Sequence, residues 1–371
     1  MVRFRVRFKQ WLSKWLLSGS DRWLIILPAV LLLFGLLMLS SVSSIVAFQD
    51  FQDGFHYVKR QAFGILVGLG FLLFFANIPL KSLKKLAYPI LIFNLILLVA
   101  VLFFGKEVNG SRAWFYFLGF QIQPSELLKI TFITYLAGRL TDDKLDINHK
   151  IAPFFIMYVV VALLMVLQRD VGTLFVISMA AMTVFFISGA PVKHFLSIVL
   201  LGVVVFASLI ATSTHQQERF RCLLEINYSP LRSCYQLNQS LIAIGSGGMF
   251  GRGFGESRQK FLYLPEVQND FIFSIITEEM GAIVASGLII VFAWFFYRVY
   301  LIAKNQNDRF TSALAVGLVS WICLQAVLNI GGIMRVLPMT GVPLPLISYG
   351  GSAMVASLSS IGILINISRQ K

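Results

Sequence analysis

Charge is what this chain has little of. Only 13 % of its 371 residues are Asp, Glu, Lys or Arg, while 57 % are apolar. Ordinary soluble domains carry about 25 % charged residues, so the shortage excludes a soluble enzyme. Cysteine occurs three times, too rarely for a disulfide-stapled scaffold. Histidine is as sparse: His56, His149, His194 and His215 stand far apart with no ligand spacing, which leaves no structural metal site to propose. No internal repeat, low-complexity tract or second domain is visible.

Apolar runs are what the chain does have. They lie at about 23–48, 62–80, 86–104, 124–138, 151–167, 171–190, 194–212, 270–297, 310–332 and 347–367. A bilayer core about 30 Å thick needs roughly 20 apolar residues per helix. The expected fold is therefore an all-α polytopic membrane protein with about ten transmembrane helices. Residues 1–22 read as a basic cytoplasmic tail, with Arg3, Arg5, Arg7, Lys9, Lys14 and Arg22. The run that follows is too long for a signal-peptide core of about 7–15 residues. Residues 23–371 read as one membrane domain.

The net charge of +14 would suit a nucleic-acid binder, but the basic residues lie in short clusters between apolar runs. They favour 1–22, 81–85, 139–150 and 298–309 over the short loops on the other side, which places both termini in the cytoplasm. The long loop from about 213 to 269, between runs seven and eight, then lies outside. It is rich in aromatic and apolar residues and reads as an ordered cap over the bundle. No nucleic acid is implied.

Ionisable side chains inside spans cost about 2.5–3.5 kcal/mol even on lenient scales, so each is a candidate site. Glu126 and Lys129 share a helix face; they either neutralise each other in packing or line a polar cavity. Asp170 precedes an apolar run and reads equally as a helix cap or a cavity residue. Asp270 opens the eighth run, where capping is the plain reading. Glu278 and Glu279 follow, facing either the same cavity or a polar neighbour. The glycine-rich stretch 245–255 follows no strand, so a dinucleotide site is excluded; glycine there suits tight turns, and its backbone amides with Arg252 and Arg258 form a weak pyrophosphate signal. Gly341 to Ser352 is an interrupted segment that needs protein or water around its backbone. Cys323 lies in a span, whereas Cys222 and Cys234 share the outer loop, an oxidising setting in which they either form a disulfide or pack separately as small apolar side chains.

The order of these motifs resembles the SEDS (shape, elongation, division and sporulation) family of bacterial wall polymerases, from about Asp21 to Arg369. The carrying residues are Val108-Asn109-Gly110-Ser111-Arg112, Gln123-Pro124-Ser125-Glu126-Leu127-Leu128-Lys129, Asp170-Val171-Gly172-Thr173 and Gln239 to Gly248. They continue with Tyr263-Leu264-Pro265-Glu266, Asp270-Phe271-Ile272-Phe273 and Pro343 to Ser352. Gln259-Lys260, Trp321, Gln325-Ala326 and Asn366 to Arg369 look like the division branch more than the elongation branch. The chain departs from the family at Gln168-Arg169-Asp170, where Gln-Pro-Asp is usual, and at Gln268-Asn269-Asp270, where His-Thr-Asp is usual.

The resemblance implies a glycosyltransferase that polymerises lipid II into glycan strands at the outer face of the cytoplasmic membrane, releasing undecaprenyl pyrophosphate. It makes Asp270 the catalytic base, with Arg60, Arg112 and Lys129 as candidates to neutralise pyrophosphate. It puts Glu126, Asp170, Gln239, Ser240, Ser246, Gly247, Glu266, Ser348, Gly350 and Gly351 in the cavity or beside the substrate. A divalent cation, Mg2+ or Mn2+, is a candidate cofactor; a nucleotide is not. The implied partners are the nascent glycan strand, a class B penicillin-binding protein and other division-site membrane proteins, at the septum of the inner membrane. An elongation-branch polymerase, a lipid II flippase and a non-enzymatic division scaffold are the competing readings.

Overall fold

In a bilayer no water is present to bond backbone N–H and C=O groups, so apolar runs satisfy them within helices. The computed structural model describes residues 19–370 apart from 109, 118–119, most of 190–213, 226–227 and 230–232. Its helices are α1 (Trp23–Val42), α2 (Ser44–Phe51), α3 (His56–Asn77), α4 (Leu80–Phe104), α5 (Pro124–Leu140), α6 (Ile147–Leu167) and α7 (Val171–Ile187). Then come α8 (Thr214–Leu224), α9 (Tyr235–Gly247), α10 (Ile272–Lys304), α11 (Arg309–Ile333) and α12 (Gly351–Ser368). Seven of the described helices are long and apolar enough to cross a membrane. Every expected run but one falls on a described helix; the exception, 194–212, lies largely outside the described residues.

Asp21 and Ser368 meet on one face of the bundle. The Asp21 amide donates to Ser368 Oγ at 3.4 Å, and Arg298 near the end of α10 pairs with the Asp21 carboxylate. Alternating helix directions then gather the described parts of the loops 52–55, 105–123, 168–170, 214–271 and 334–350 at the opposite end. In the interior, α11 and α12 are buried almost all round. The α3–α12 contact uses small residues so that the backbones approach closely: a Cβ on Gly362 would sit 2.4 Å from Leu72 O, and one on Gly64 3.2 Å from Gly351 Cα. Outward-facing Leu33, Leu66, Phe93 and Phe103 form part of a lipid-facing belt.

Two features depart from the expected all-α bundle. A small antiparallel sheet, β1 (Lys106–Val108), β2 (Ser111–Phe117) and β3 (Phe120–Ile122), occupies the loop after α4. It docks on the α6–α7 turn through Ser111 Oγ and the Arg112 amide, both donating to Gln168 O, at 2.7 and 3.2 Å. The second is a break in α10. Its 33 residues would run about 50 Å, well beyond the hydrocarbon core, and the helix is interrupted at Gly281, where φ is +80°.

The glycine-rich stretch inserts at that break. Arg252 N and Gly253 N donate to the freed carbonyls of Glu278 and Glu279, while Ala282 N donates to Gly248 O. These amides are therefore engaged with α10, which removes them from any pyrophosphate-binding role. A Cβ on Gly281 would lie 2.4 Å from both Gly251 N and Met249 O. Gly281→Ala is expected to lower stability by at least about 1–3 kcal/mol, from strain at the left-handed position alone. Thermal unfolding in detergent checks this; an unchanged midpoint would mean that the break tolerates a side chain.

Candidate active site

At the end opposite Asp21 and Ser368, the loops enclose a cavity of about 1280 Å³. Asp270 lies on its wall, two residues ahead of α10. The helix N-cap is Phe271, without a side-chain capping bond, so capping is not the role of Asp270. The turn is fixed from below by Asn329 of α11, whose Nδ2 donates to Asp270 O and to Val342 O, each at 2.8 Å. The carboxyl is thereby held in place by its backbone and left facing the cavity.

Arg219, from α8, reaches the same spot. It donates to Met339 O at 3.2 Å. Its Nη2 and Asp270 Oδ2 each come within 3.5 Å of the point where a Cβ on Gly341 would lie. Gly341 has φ of +70°, so this is a position that favours glycine on two counts. Burial pushes the Asp270 carboxyl up to about 6; the Glu266 charge adds to the rise and Arg219 opposes it. Desolvation outweighs the guanidinium, leaving a carboxylate that is ionised at neutral pH yet basic enough to take a proton.

The cavity brings together Arg60, Glu126, Asp170, Glu266, Asp270, Gly350 and Gly351 among the residues expected to meet there. Asp170 caps α7 by accepting from Thr173 N at 3.3 Å, and it also accepts from Gln123 Nε2 at 2.9 Å and Ser125 Oγ at 3.0 Å. Asp170 is thus at once the cap of α7 and part of the cavity wall. Glu126 faces the cavity, while Lys129 lies beneath it, buried, with Nζ 2.7 Å from Glu126 Oε2 and donating at 2.7 Å to Gln325 Oε1. Lys129 also lies over the Trp321 ring.

Other expected residues are placed elsewhere. Arg112 is exposed, pairs with Glu107 at 3.7 Å and is off the cavity wall. Ser348 is buried and accepts from Leu344 N at 2.9 Å, holding the interrupted segment's turn. Gln239, Ser240, Ser246 and Gly247 belong to α9, which packs against α10 and α11 instead of lining the cavity. Ser240 donates to Leu237 O and Ile333 O. Ser246 reaches Glu278 at 3.4 Å, and a Cβ on Gly247 would meet Thr277 O. Small side chains at this interface serve close packing, a motif that sequence alone does not separate from substrate contact. Glu278 and Glu279 likewise anchor the loop: Glu278 accepts from Ser257 and the Arg258 amide, Glu279 from Ser41 and Lys260.

Two arginines joined the cavity unannounced. Arg219 sits in the long loop without a local pattern to mark it. Arg169 lines the cavity with φ of +58°, a conformation closed to proline, and supplies a guanidinium there. Among the described residues, the cations on the cavity wall are Arg60, Arg169 and Arg219. Among the described residues no three of His, Cys, Asp and Glu group closely enough to hold a metal.

Cys222 at the end of α8 and Cys234 just before α9 are disulfide-bonded, with Cα atoms 5.5 Å apart. The bond ties the helix that carries Arg219 to the α9 scaffold. Cys222→Ser is expected to cost roughly 2–4 kcal/mol and to lower the activity supported by Arg219. Alkylation of the denatured, unreduced protein should label Cys323 alone, and labelling of both Cys222 and Cys234 would contradict the bond.

Residues 22–371 match the protein family described as "Cell cycle protein", which groups FtsW, RodA and SpoVE. Stage V sporulation protein E of Bacillus subtilis is 36 % identical over 95 % of this chain and 98 % of its own length. The probable peptidoglycan glycosyltransferase FtsW of Legionella pneumophila is 36 % identical over 95 % and 92 %. Among solved structures, the rod shape determining protein RodA of Thermus thermophilus aligns with a TM-score of 0.72 at 27 % identity, over 96 % of this chain and 98 % of that one. A chain from a peptidoglycan synthase complex that coordinates polymerization and crosslinking aligns with a TM-score of 0.77 at 26 % identity, over 94 % and 98 %. With a match that runs from the first span to the last residue and a shared helical architecture, this chain is a multi-pass membrane protein of the FtsW/RodA/SpoVE family.

Proposed function

We propose that the chain is a peptidoglycan glycosyltransferase that polymerises lipid II on the outer side of the cytoplasmic membrane. The observation that carries this reading is the Asp270 carboxyl, raised to about 6 and facing a large outer cavity beside Arg219. The 4-hydroxyl of the acceptor sugar attacks the anomeric carbon of the growing chain. Its proton passes to Asp270, the new glycosidic bond forms, and the bond to undecaprenyl pyrophosphate breaks. Arg60, Arg169 and Arg219 offset the charge that develops on the leaving pyrophosphate.

Similarity to FtsW and to a chain of a polymerising and crosslinking complex supports a partner that crosslinks the product, a class B penicillin-binding protein, and action at the division septum. Purified protein in lipid nanodiscs, given lipid II, should yield a ladder of glycan strands on a gel. Lipid II moved across vesicle membranes without polymer would replace this reading with a flippase; neither transport nor polymer would favour a scaffold.

A further inference from the structure

One side of the cavity is built from aromatic rings that the proposed chemistry does not use. At the end of α2, Phe51 stacks face to face on His56, centroids 3.7 Å apart and planes within 5°. Phe51 meets Tyr57 edge-on at 5.8 Å, and Tyr57 meets Tyr349 edge-on at 4.9 Å. Phe51, Tyr57 and Tyr349 all line the cavity, as does Arg60, one helical turn beyond Tyr57. The row therefore runs from the α2 end toward the Gly350–Gly351 start of α12.

The row is held by the chain reversal that precedes it. Gln52 takes φ of +55° and ends α2. Asp53 accepts from the Phe55 amide at 3.1 Å and from Lys59 Nζ at 2.8 Å, which pins the 52–55 turn. Phe51 is thus folded back onto α3, yet it stays 46 % exposed. A phenyl ring left this open at the non-membrane end of a bundle is a poor choice for packing and a good one for contact with a ligand.

Pyranose rings supply the matching chemistry. One face of such a ring presents polarised C–H groups, and an aromatic face carries negative quadrupole density. Asp50, Arg60 and Glu266 line the same cavity as the rings, where they can bond the hydroxyls at the sugar edge. Because the turn is preorganised, little ordering cost falls on binding.

We propose that Phe51, Tyr57 and Tyr349 form a sugar-stacking wall that retains the nascent glycan strand between successive additions. The inference rests on the polymerase reading and adds a subsite to it. These are positioning residues for the strand, not groups that touch the reacting atoms. Losing one ring is worth about a fivefold faster release of the strand, the equivalent of ~1 kcal/mol. At an unchanged rate of addition, released strands shorten by about the same factor.

The test measures strand-length distribution and the initial rate of lipid II consumption for purified wild type, Phe51→Ala, Tyr57→Leu and Tyr57→Phe. Phe51→Ala and Tyr57→Leu are expected to give strands about fivefold shorter with consumption changed less than twofold. Tyr57→Phe, which keeps the ring, is expected to give lengths near wild type. Phe51→Ala removes a half-exposed ring and keeps the helix, so it reads the wall even where Tyr57→Leu reduces yield. Strands of normal length from both ring-removing variants would overturn the wall and leave the polymerase reading standing, as would equal shortening in Tyr57→Phe. Absence of polymer from wild type would overturn both.

Discussion

Exchanging Asp270 for asparagine is expected to cut polymerisation by at least about a hundredfold, the low end of what a positioned base contributes, while leaving the protein folded and more resistant to heat. The second half follows from the sign of the pKa shift. Folding lifts the carboxyl from 3.8 to about 6, so the native surroundings disfavour the ionised form. The stability linked to this group is full below about pH 3.8 and is lost as pH rises through about 6. At neutral pH the wild type therefore carries a cost of up to about 3 kcal/mol, even with Arg219 nearby. Asparagine carries no charge to desolvate. A gain in melting temperature with loss of polymer is the signature of a site that gives up stability for chemistry. Retention of most activity would remove Asp270 from the mechanism, and a clear drop in melting temperature would contradict its desolvated state.

The largest effects on stability are expected at Glu126 and Lys129. Lys129 is 1 % exposed and Glu126 2 %, and their charged atoms meet at 2.7 Å. Removing one partner leaves the other charge in the bundle without compensation, a loss of about 3–5 kcal/mol. Glu126→Gln and Lys129→Met should each reduce the folded yield sharply, read by fluorescence-detected size exclusion in detergent. The double variant should recover much of that yield, since an uncharged pair of similar volume is often neutral. Its activity separates the two roles. Glu126 faces the cavity, so low activity in a well-folded double variant assigns the pair to cavity shape, and full recovery assigns it to packing alone.

The spans were legible because twenty-residue apolar runs have few alternatives in physical chemistry. Asp270 stands out in the sequence because its neighbours stand in a recognisable order. The cap expected of it was not found, since α10 starts two residues later, at Ile272. The sheet at 106–122 escaped notice for want of length, although Asn109-Gly110 ahead of the aromatic run Trp114-Phe115-Tyr116-Phe117 is a hairpin signal. Arg219 carried no signal: its place beside Asp270 arises from folding of the long loop and from contact with Met339, distant in sequence. The break at Gly281 was hidden inside an apolar run, because hydropathy does not register a left-handed glycine. The serines and glycines of α9 were misread for the opposite reason, since close packing and substrate contact select the same small residues.

The most direct measurement is the pH dependence of polymerisation by purified wild-type protein supplied with lipid II. A base that must be ionised, with its carboxyl raised to about 6, predicts kcat/KM that is level above neutrality and falls tenfold per pH unit on the acid side. The bend should lie near 6, not near the ordinary carboxylate range. Activity that stays constant down to about pH 5, or that bends only at the ordinary carboxylate value, would contradict Asp270 as the base in a desolvated cavity.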